Sequence, residues 1–208
     1  GHVGPGRMAA VYTAAPLDDA RLLFLFRTQE ELRYHYRDVL RQKELLREAI
    51  AGMHPQVDLW LEELDRTPAF YFDSITQLQL DTWSRGRVTL VGDAGYCASP
   101  LSGMGTSLAL VGAYVLAGEL GPAHGDGIDE AALAAALARY ETVLRPYVAN
   151  CQDLPNSIDR FLPMSESEIR SNAAAMKYMQ RWPFRFFAER KWFTIAESIE
   201  LPRYPRLP

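Results

Sequence analysis

The chain has 208 residues, 48% of them hydrophobic and 23% charged, with a formal net charge of −4 and a pI near 5.6. That balance argues against a nucleic-acid surface, which needs a basic excess. Two cysteines, Cys97 and Cys151, are too few for a disulfide framework, so a reducing cytoplasm is the expected compartment.

The first fifteen residues, GHVGPGRMAAVYTAA, lack the apolar stretch after a basic start that marks a signal peptide. Arg7–Ala14 and Ala20–Arg27 are apolar runs separated by a Pro/Asp turn signal and predict neighbouring antiparallel strands. From Tyr36 to Gly52, Val39, Leu40, Leu46 and Ile50 recur among charges and predict an amphipathic helix stopped by glycine. Pro55–Arg66 opens with proline at a first-turn position and predicts a second helix. Phe70–Ser84, rich in aromatic and β-branched residues, reads as one or two further strands.

Arg85-Gly86 predicts a turn, and Arg87–Asp93 (RVTLVGD) a short strand buried on both faces. Thr106–Leu120 predicts a helix closed by Gly121-Pro122. Asp129 is placed to cap the next helix, which continues past Pro146 with a kink. Ser165-x-x-Glu168 spells a capping box ahead of a last helical stretch. The order is mixed α/β (α+β).

Between Ala94 and Gly118 there is no charge. Pro100, Gly103 and Gly105 interrupt that span, and the helix left after them is shorter than the ~20 residues a bilayer needs. A buried helix is therefore expected, not a membrane span. The strand ahead of the span delivers one acid, Asp93, to its end, where open α/β sheets hold ligands. A carboxylate there accepts hydrogen bonds from polyol hydroxyls. The loop SPLSGMGTS precedes a helix whose first N–H groups lack internal partners and suit an anion or an electron-rich carbonyl. Gly103 and Gly105, without Cβ atoms, let a flat ligand approach the main chain.

Gly92-Asp93-Ala94-Gly95-Tyr96, Pro100, Gly103-x-Gly105 and Ser107-x-Ala109 resemble the second FAD-binding motif of the aromatic-hydroxylase flavoprotein monooxygenases, a family that includes tetracycline-inactivating enzymes. The family pattern is roughly G-D-A-A-H-x-x-x-P-x-x-G-x-G-x-N-x-A-x-x-D-A, and the spacing from Gly92 to Ala113 matches without insertion. The preceding Trp83-x-x-Gly86-Arg87-Val88 is also typical of it. The resemblance implies FAD contacts at Gly92, Asp93, Pro100, Gly103, Met104, Gly105 and Thr106. Asp93 would take the ribityl chain, Pro100 the flavin edge, and the Gly103–Thr106 main chain the N1–C2 carbonyl side. It further implies NADH or NADPH as reductant, oxygen as co-substrate, and hydroxylation of a small aromatic or polyketide-like molecule. Tyr96 stands in place of the family's His, Ser107 in place of Asn, and Gly112 in place of the helix Asp.

The family's first motif, G-x-G-x-x-G after a strand, is absent, since Gly1, Gly4 and Gly6 have the wrong order and no preceding strand. The chain thus resembles the C-terminal half of such an enzyme. Residues 1-84 would be part of the substrate domain, 85-150 part of the FAD-binding domain, and 151-208 a C-terminal helical segment. Alone it is expected to bind FAD weakly or not at all, and to need the missing N-terminal half or a homo-oligomer to cover its apolar surfaces. A halogenase or reductase on the same scaffold, or a non-catalytic interaction module, are the alternatives.

Tyr71, Gln77, Gln79 and Tyr96 are candidate substrate contacts, with core or sheet packing the other reading of each. Cys97 has no adjacent base or cation and reads as a packed residue. His2, His35, His54 and His124 show no metal-ligand spacing, and no metal is expected. Met179–Phe193 mixes aromatics with Arg and Lys; it reads as a segment covering a domain face or dimer contact, with a membrane-surface helix the alternative. No catalytic acid or base stands out.

Overall fold

The computed structural model describes residues 1–13, 20–121, 129–153, 162–179 and 198–205. The chain divides into two compact units, Gly1–Asp73 with Asn156–Arg181, and Ser74–Pro155 with Trp182–Pro208.

The first unit carries an antiparallel sheet in the order β1 (His2–Gly4), β2 (Arg7–Tyr12), β3 (Arg21–Phe26). Arg7 pairs with Phe26 and Tyr12 with Arg21, so the two predicted strands are neighbours as expected. The glycines of GHVGPG build the β1–β2 hairpin: Gly6 has φ +66, and its N–H donates to the Pro163 carbonyl (2.7 Å). Helix α1 (Val39–Ile50) starts at Asp38, whose carboxylate accepts from the Arg41 N–H (3.1 Å). Its buried stripe is Gln42, Leu45, Leu46 and Ile50; Leu40 is 75% exposed, because it lies off that stripe. Val39, in the first turn, is exposed as well. The Arg7 guanidinium donates to the carbonyls of Ala49 and Ala51 at the α1 C-terminus.

Helix α2 (Pro55–Glu62) has Pro55 in its first turn, as predicted, and His54 as N-cap, whose Nδ1 accepts from the Gln56 N–H. A single 3-10 turn (Glu63–Asp65) extends it. Ala9, Leu46, Ile50, Val57, Leu61 and Leu64 form the core of this unit. Helix α6 (Glu166–Met179) begins with the predicted capping box: Glu168 N–H donates to Ser165 Oγ, and the Glu168 carboxylate accepts from the Ser165 N–H. Beyond Met179, the segment to Phe193 lies outside the described residues, as do His124, Pro122 and the Pro/Asp turn between the first two predicted strands.

In the second unit the strand predictions fail. Of the predicted Phe70–Ser84 stretch, whose first four residues belong to the first unit, Phe70–Trp83 forms no strand, and Leu78 N–H donates to the Cys97 carbonyl (3.0 Å). Alternation makes a segment suitable for a sheet, but a strand also needs a neighbour to complete its ladder. Arg87–Asp93 is likewise no buried strand. Among the described residues of this unit, only β4 (Ser84–Arg85) and β5 (Val88–Thr89) pair, antiparallel, about the predicted turn at Gly86 (φ +60), and Val88 is 67% exposed.

Helices hold this unit together. A one-turn α3 (Asp93–Tyr96) and a 3-10 turn (Pro100–Ser102) precede α4 (Gly105–Leu120), which packs against α5 (Glu130–Gln152). Asp129 caps α5, accepting from the Ala131 N–H (3.1 Å), and the helix runs through Pro146. Trp83, Tyr96, Leu108, Val115, Tyr140, Leu144, Tyr147 and Val148 make the core. Helix α4 is not buried all round: Leu108, Gly112 and Val115 face inward, whereas Ala109, Leu110 and Ala113 are exposed. No helix among the described residues is long and apolar enough to cross a membrane.

Candidate functional site: the Asp93 turn and the start of α4

The site is made by two turns that meet. Gly92 adopts φ +66 and ψ −141, a conformation open to glycine, and its carbonyl accepts from the N–H groups of Gly95 and Tyr96 (both 3.0 Å). The turn leans on α4: a Cβ on Gly92 would stand 3.5 Å from Ala109 Cβ. Asp93 therefore arises from a glycine turn, four residues beyond the end of β5, and opens α3; it is not the last residue of a strand. Its side chain is exposed, with Oδ1 3.9 Å from where a Cβ on Gly105 would lie. The carboxylate and the first residue of α4 are thus side by side.

The second turn is held by two serines that sequence reasoning passed over. Ser99 has φ +75, a left-handed conformation uncommon outside glycine. Its Oγ accepts from the Leu101 N–H, and its carbonyl from both the N–H and the hydroxyl of Ser102. Ser102 Oγ in turn accepts from the Met104 N–H (3.1 Å), and Gly103 N–H donates to the Pro100 carbonyl. Both serines are buried. The signal was present in the Ser-Pro-x-Ser spelling, since serines at such spacing fold their hydroxyls onto nearby main chain.

Those bonds engage the amides of Gly103 and Met104. The first helical bond of α4 is Leu108 N–H to the Met104 carbonyl, and α4 has no side-chain cap. The N–H groups of Gly105, Thr106 and Ser107 consequently have no hydrogen-bond partner among the described residues. Gly105 is half-buried, Gly103, Pro100 and Thr106 are exposed, and Met104 is in the core at 6%. Three free donors at the positive end of a sixteen-residue helix, one carboxylate beside them and no Cβ between match an electron-rich ring edge with a hydroxylated tail.

Behind the site lies a cluster of aromatic residues. Tyr96 is 1% exposed and packs on Trp83 (4.6 Å between ring centroids) and against Gly112, where a Cβ would fall 1.9 Å from its hydroxyl. Two departures from the family pattern thus share one steric cause: a tyrosine at 96 requires that residue 112 have no side chain. The third departure, Ser107, lies near the Tyr147 phenol, whose pKa it acts to lower. Burial, with the neighbouring Cys151, pushes the Tyr147 phenol up to about 12, and burial pushes the Cys151 thiol up to about 11.

Helix α5 grips the chain ahead of the site. The Glu141 carboxylate accepts from the Trp83 N–H (2.8 Å), Thr82 Oγ1 and Arg145. Burial works against its ionisation, but the Arg145 guanidinium, the Trp83 amide and the hydroxyls of Ser84 and Thr82 outweigh it and hold the carboxyl below its ordinary range. Arg145 also donates to the carbonyls of Leu80 and Asp81 and stacks on Trp83 (4.6 Å). An open groove of about 910 Å³ runs here, lined by Thr82, Glu141 and Arg145 among others, and does not include Asp93 or Gly105.

Of the four candidate substrate residues, one lies in the first unit and three in the second. Tyr71, in the first unit, is 85% exposed and donates to Asp73. In the second unit, Gln77 donates to the Gln152 carbonyl and Gln79 to Gln77 Oε1, while Tyr96 is in the core. Cys97 Sγ contacts the Thr76 carbonyl (3.7 Å), and His2 stacks on the capping His54. Among the described residues no group of His, Cys, Asp and Glu is arranged to hold a metal.

No family model matches the chain. It is 44% identical over 180 residues to the FAD-dependent monooxygenase asL6 of Sarocladium schorii, covering 86% of this chain and 41% of that protein. It is also 44% identical over 185 residues to a flavin-dependent monooxygenase of Legionella longbeachae, covering 89% and 44%. The crystal structure of tetracycline destructase Tet(51) matches over 97% of this chain and 49% of its own, with a TM-score of 0.74 and 32% identity. That of Tet(55) matches with a TM-score of 0.72 and 33% identity. The chain spans about half the length of the curated relatives it matches.

Proposed function

The chain is a homologue of the FAD-dependent monooxygenases and has the fold of the tetracycline destructases over nearly its whole length, and from that premise we propose that it forms the flavin-ring side of such an enzyme. The observation that carries the reading is the Asp93 carboxylate beside Gly105, the first of three residues whose amides have no partner among the described residues. Asp93 accepts hydrogen bonds from the ribityl hydroxyls, and the amides donate to the carbonyl edge of the ring. Gly92 and Gly103 shape the two turns, Met104 anchors the loop in the core, and Pro100 borders the ring edge. Once bound, FAD reduced by NADH or NADPH supplies the oxygen chemistry. The helix start contributes a preorganised dipole that favours negative charge on the ring edge.

The reaction is hydroxylation of a small aromatic or polyketide-like substrate. The chain's likeness to tetracycline destructases and to proteins named as FAD-dependent monooxygenases supports that class. The exposed apolar face of α4, Leu110 at 68% with Ala109 and Ala113, packs in the whole enzyme against the other half of the protein. That half holds the rest of the cofactor, so the 208-residue chain alone binds FAD weakly and does not turn over.

Titration of FAD against the chain, followed by flavin fluorescence, tests this. The expected affinity is weaker than micromolar and falls about tenfold further in Asp93→Ala, the loss of one charge-assisted acceptor. Sub-micromolar binding would overturn the division of the site between two halves. Equal binding by wild type and Asp93→Ala would overturn the cradle.

A further inference from the structure

The Asp93 turn is closed from behind by two phenols. Tyr140 donates its hydroxyl hydrogen to the Leu90 carbonyl (3.0 Å), and its oxygen is 3.0 Å from the hydroxyl of Tyr96. A phenol has one proton, and a carbonyl only accepts. With the Tyr140 proton committed to Leu90, the proton between the two phenols comes from Tyr96. The order is therefore Tyr96 to Tyr140 to the Leu90 carbonyl. Residues 90 and 96, three positions either side of Asp93, are tied together through a side chain 44 residues away on α5.

Three further observations agree with a closed turn. Tyr96 and Tyr140 are 1% and 0% exposed, so water does not compete for these bonds. A Cβ on Gly95 would come within 3.0 Å of Leu90 Cβ, so the two arms of the turn are already in contact. Trp83 packs against both phenol rings, at 4.6 and 5.9 Å, and fixes them sideways. Burial and the bond to Tyr96 both raise the Tyr140 pKa, which keeps its donor hydrogen in place across ordinary pH.

We propose that Tyr140, with Tyr96, is a positioning residue that clamps the Leu90–Tyr96 turn and so holds the Asp93 carboxylate beside Gly105. The clamp rests on the flavin reading for its purpose and on the two hydrogen bonds for its existence. Nothing in the family pattern points to it, because Tyr96 stands where that pattern has His and Tyr140 lies outside the motif.

The experiment uses the full 208-residue chain, isotopically labelled, with Tyr140→Phe, Tyr96→Phe, Asp93→Ala and, as a control, Tyr114→Phe, which removes a hydroxyl bonded to the Pro202 carbonyl instead. Amide hydrogen exchange at Gly95 and Tyr96, whose N–H groups close the turn, reports the clamp without any cofactor; amide shifts on FAD addition report affinity. Tyr140→Phe leaves the Leu90 carbonyl without its donor, so exchange at both amides is expected to speed up about tenfold, with FAD binding weakened several-fold. Tyr96→Phe keeps the bond to Leu90 and is expected to do less of both. Asp93→Ala should weaken FAD with exchange unchanged, and Tyr114→Phe should change neither.

Wild-type exchange in Tyr140→Phe would overturn the clamp, even with Asp93→Ala impaired and the flavin reading intact. Wild-type FAD affinity in Asp93→Ala would remove the flavin reading and the purpose assigned to the clamp, whatever the exchange shows. Where FAD binding is too weak to follow, the exchange rates decide. Should Tyr140→Phe fail to fold, Tyr96→Phe decides: exchange equal to wild type overturns the proposal.

Discussion

Two glycine-rich turns in this chain use their main chain in opposite ways. In the Gly4–Gly6 hairpin, Gly6 bends at φ +66 and its N–H is bonded at once to the Pro163 carbonyl. In the Ser99–Gly105 turn, Gly103 bends at the same φ of +66, but the three amides that follow, from Gly105 to Ser107, have no partner among the described residues. Both stretches are small, uncharged and rich in glycine, so composition does not separate them. What separates them is whether the donors are satisfied inside the fold. A turn with satisfied donors is architecture; one that leaves donors at a helix start can bind a ligand.

Substitution of single glycines sharpens that contrast. The largest effect is expected at Gly92, which serves both ends: alanine there meets an unfavourable φ and ψ, although its methyl group would only touch Ala109 at ordinary contact distance. A loss of about 2 kcal/mol in chemical-denaturation stability is expected, with weaker FAD binding. Gly6→Ala should cost about 1 kcal/mol, from its positive φ and a Cβ 3.3 Å from Met164 Sδ, and leave FAD affinity untouched. The smallest change in stability belongs to Gly105→Ala. Its nearest described neighbour is Asp93 Oδ1 at 3.9 Å, so the folded chain has room, and stability should move by no more than about 0.5 kcal/mol. FAD binding should nonetheless weaken, because the methyl group stands between the carboxylate and the free amides. If Gly6→Ala weakens FAD as much as Gly105→Ala does, the distinction between the two turns fails.

Some elements were legible because their causes are local. Pro55 in the first turn of α2, Asp129 capping α5 and the reciprocal Ser165–Glu168 bonds each need residues within a few positions of one another. The β2–β3 pairing is nearly as local, joining two apolar runs close in sequence. Phe70–Trp83 and Arg87–Asp93 misled, since aromatic and apolar content shows what a strand would bury and says nothing of a partner to bond with. The Gly-Asp turn and the glycine loop stood out by spacing, and the structure does bring Asp93 to Gly105. The exposed face of α4 was missed: an uncharged helix reads as buried, whatever chain is present to bury it.

The tyrosine at 96 and the glycine at 112 appeared as two unrelated departures from a motif. In three dimensions they are one packing event, with the hydroxyl of one in the space a Cβ of the other would take. Tyr140 carried no signal in sequence, and a tyrosine in the middle of an amphipathic helix reads as core.

Residue order along the chain settled the helix caps, the hairpin, and the spacing of one acid to one glycine loop, because those follow from main-chain geometry over a few residues. Which amides remained free, which phenol closes the Asp93 turn and which helix face lies bare were decided only by folding. Each depends on where a distant side chain places its one proton or its last carbon, and that is a matter of packing, not of adjacency.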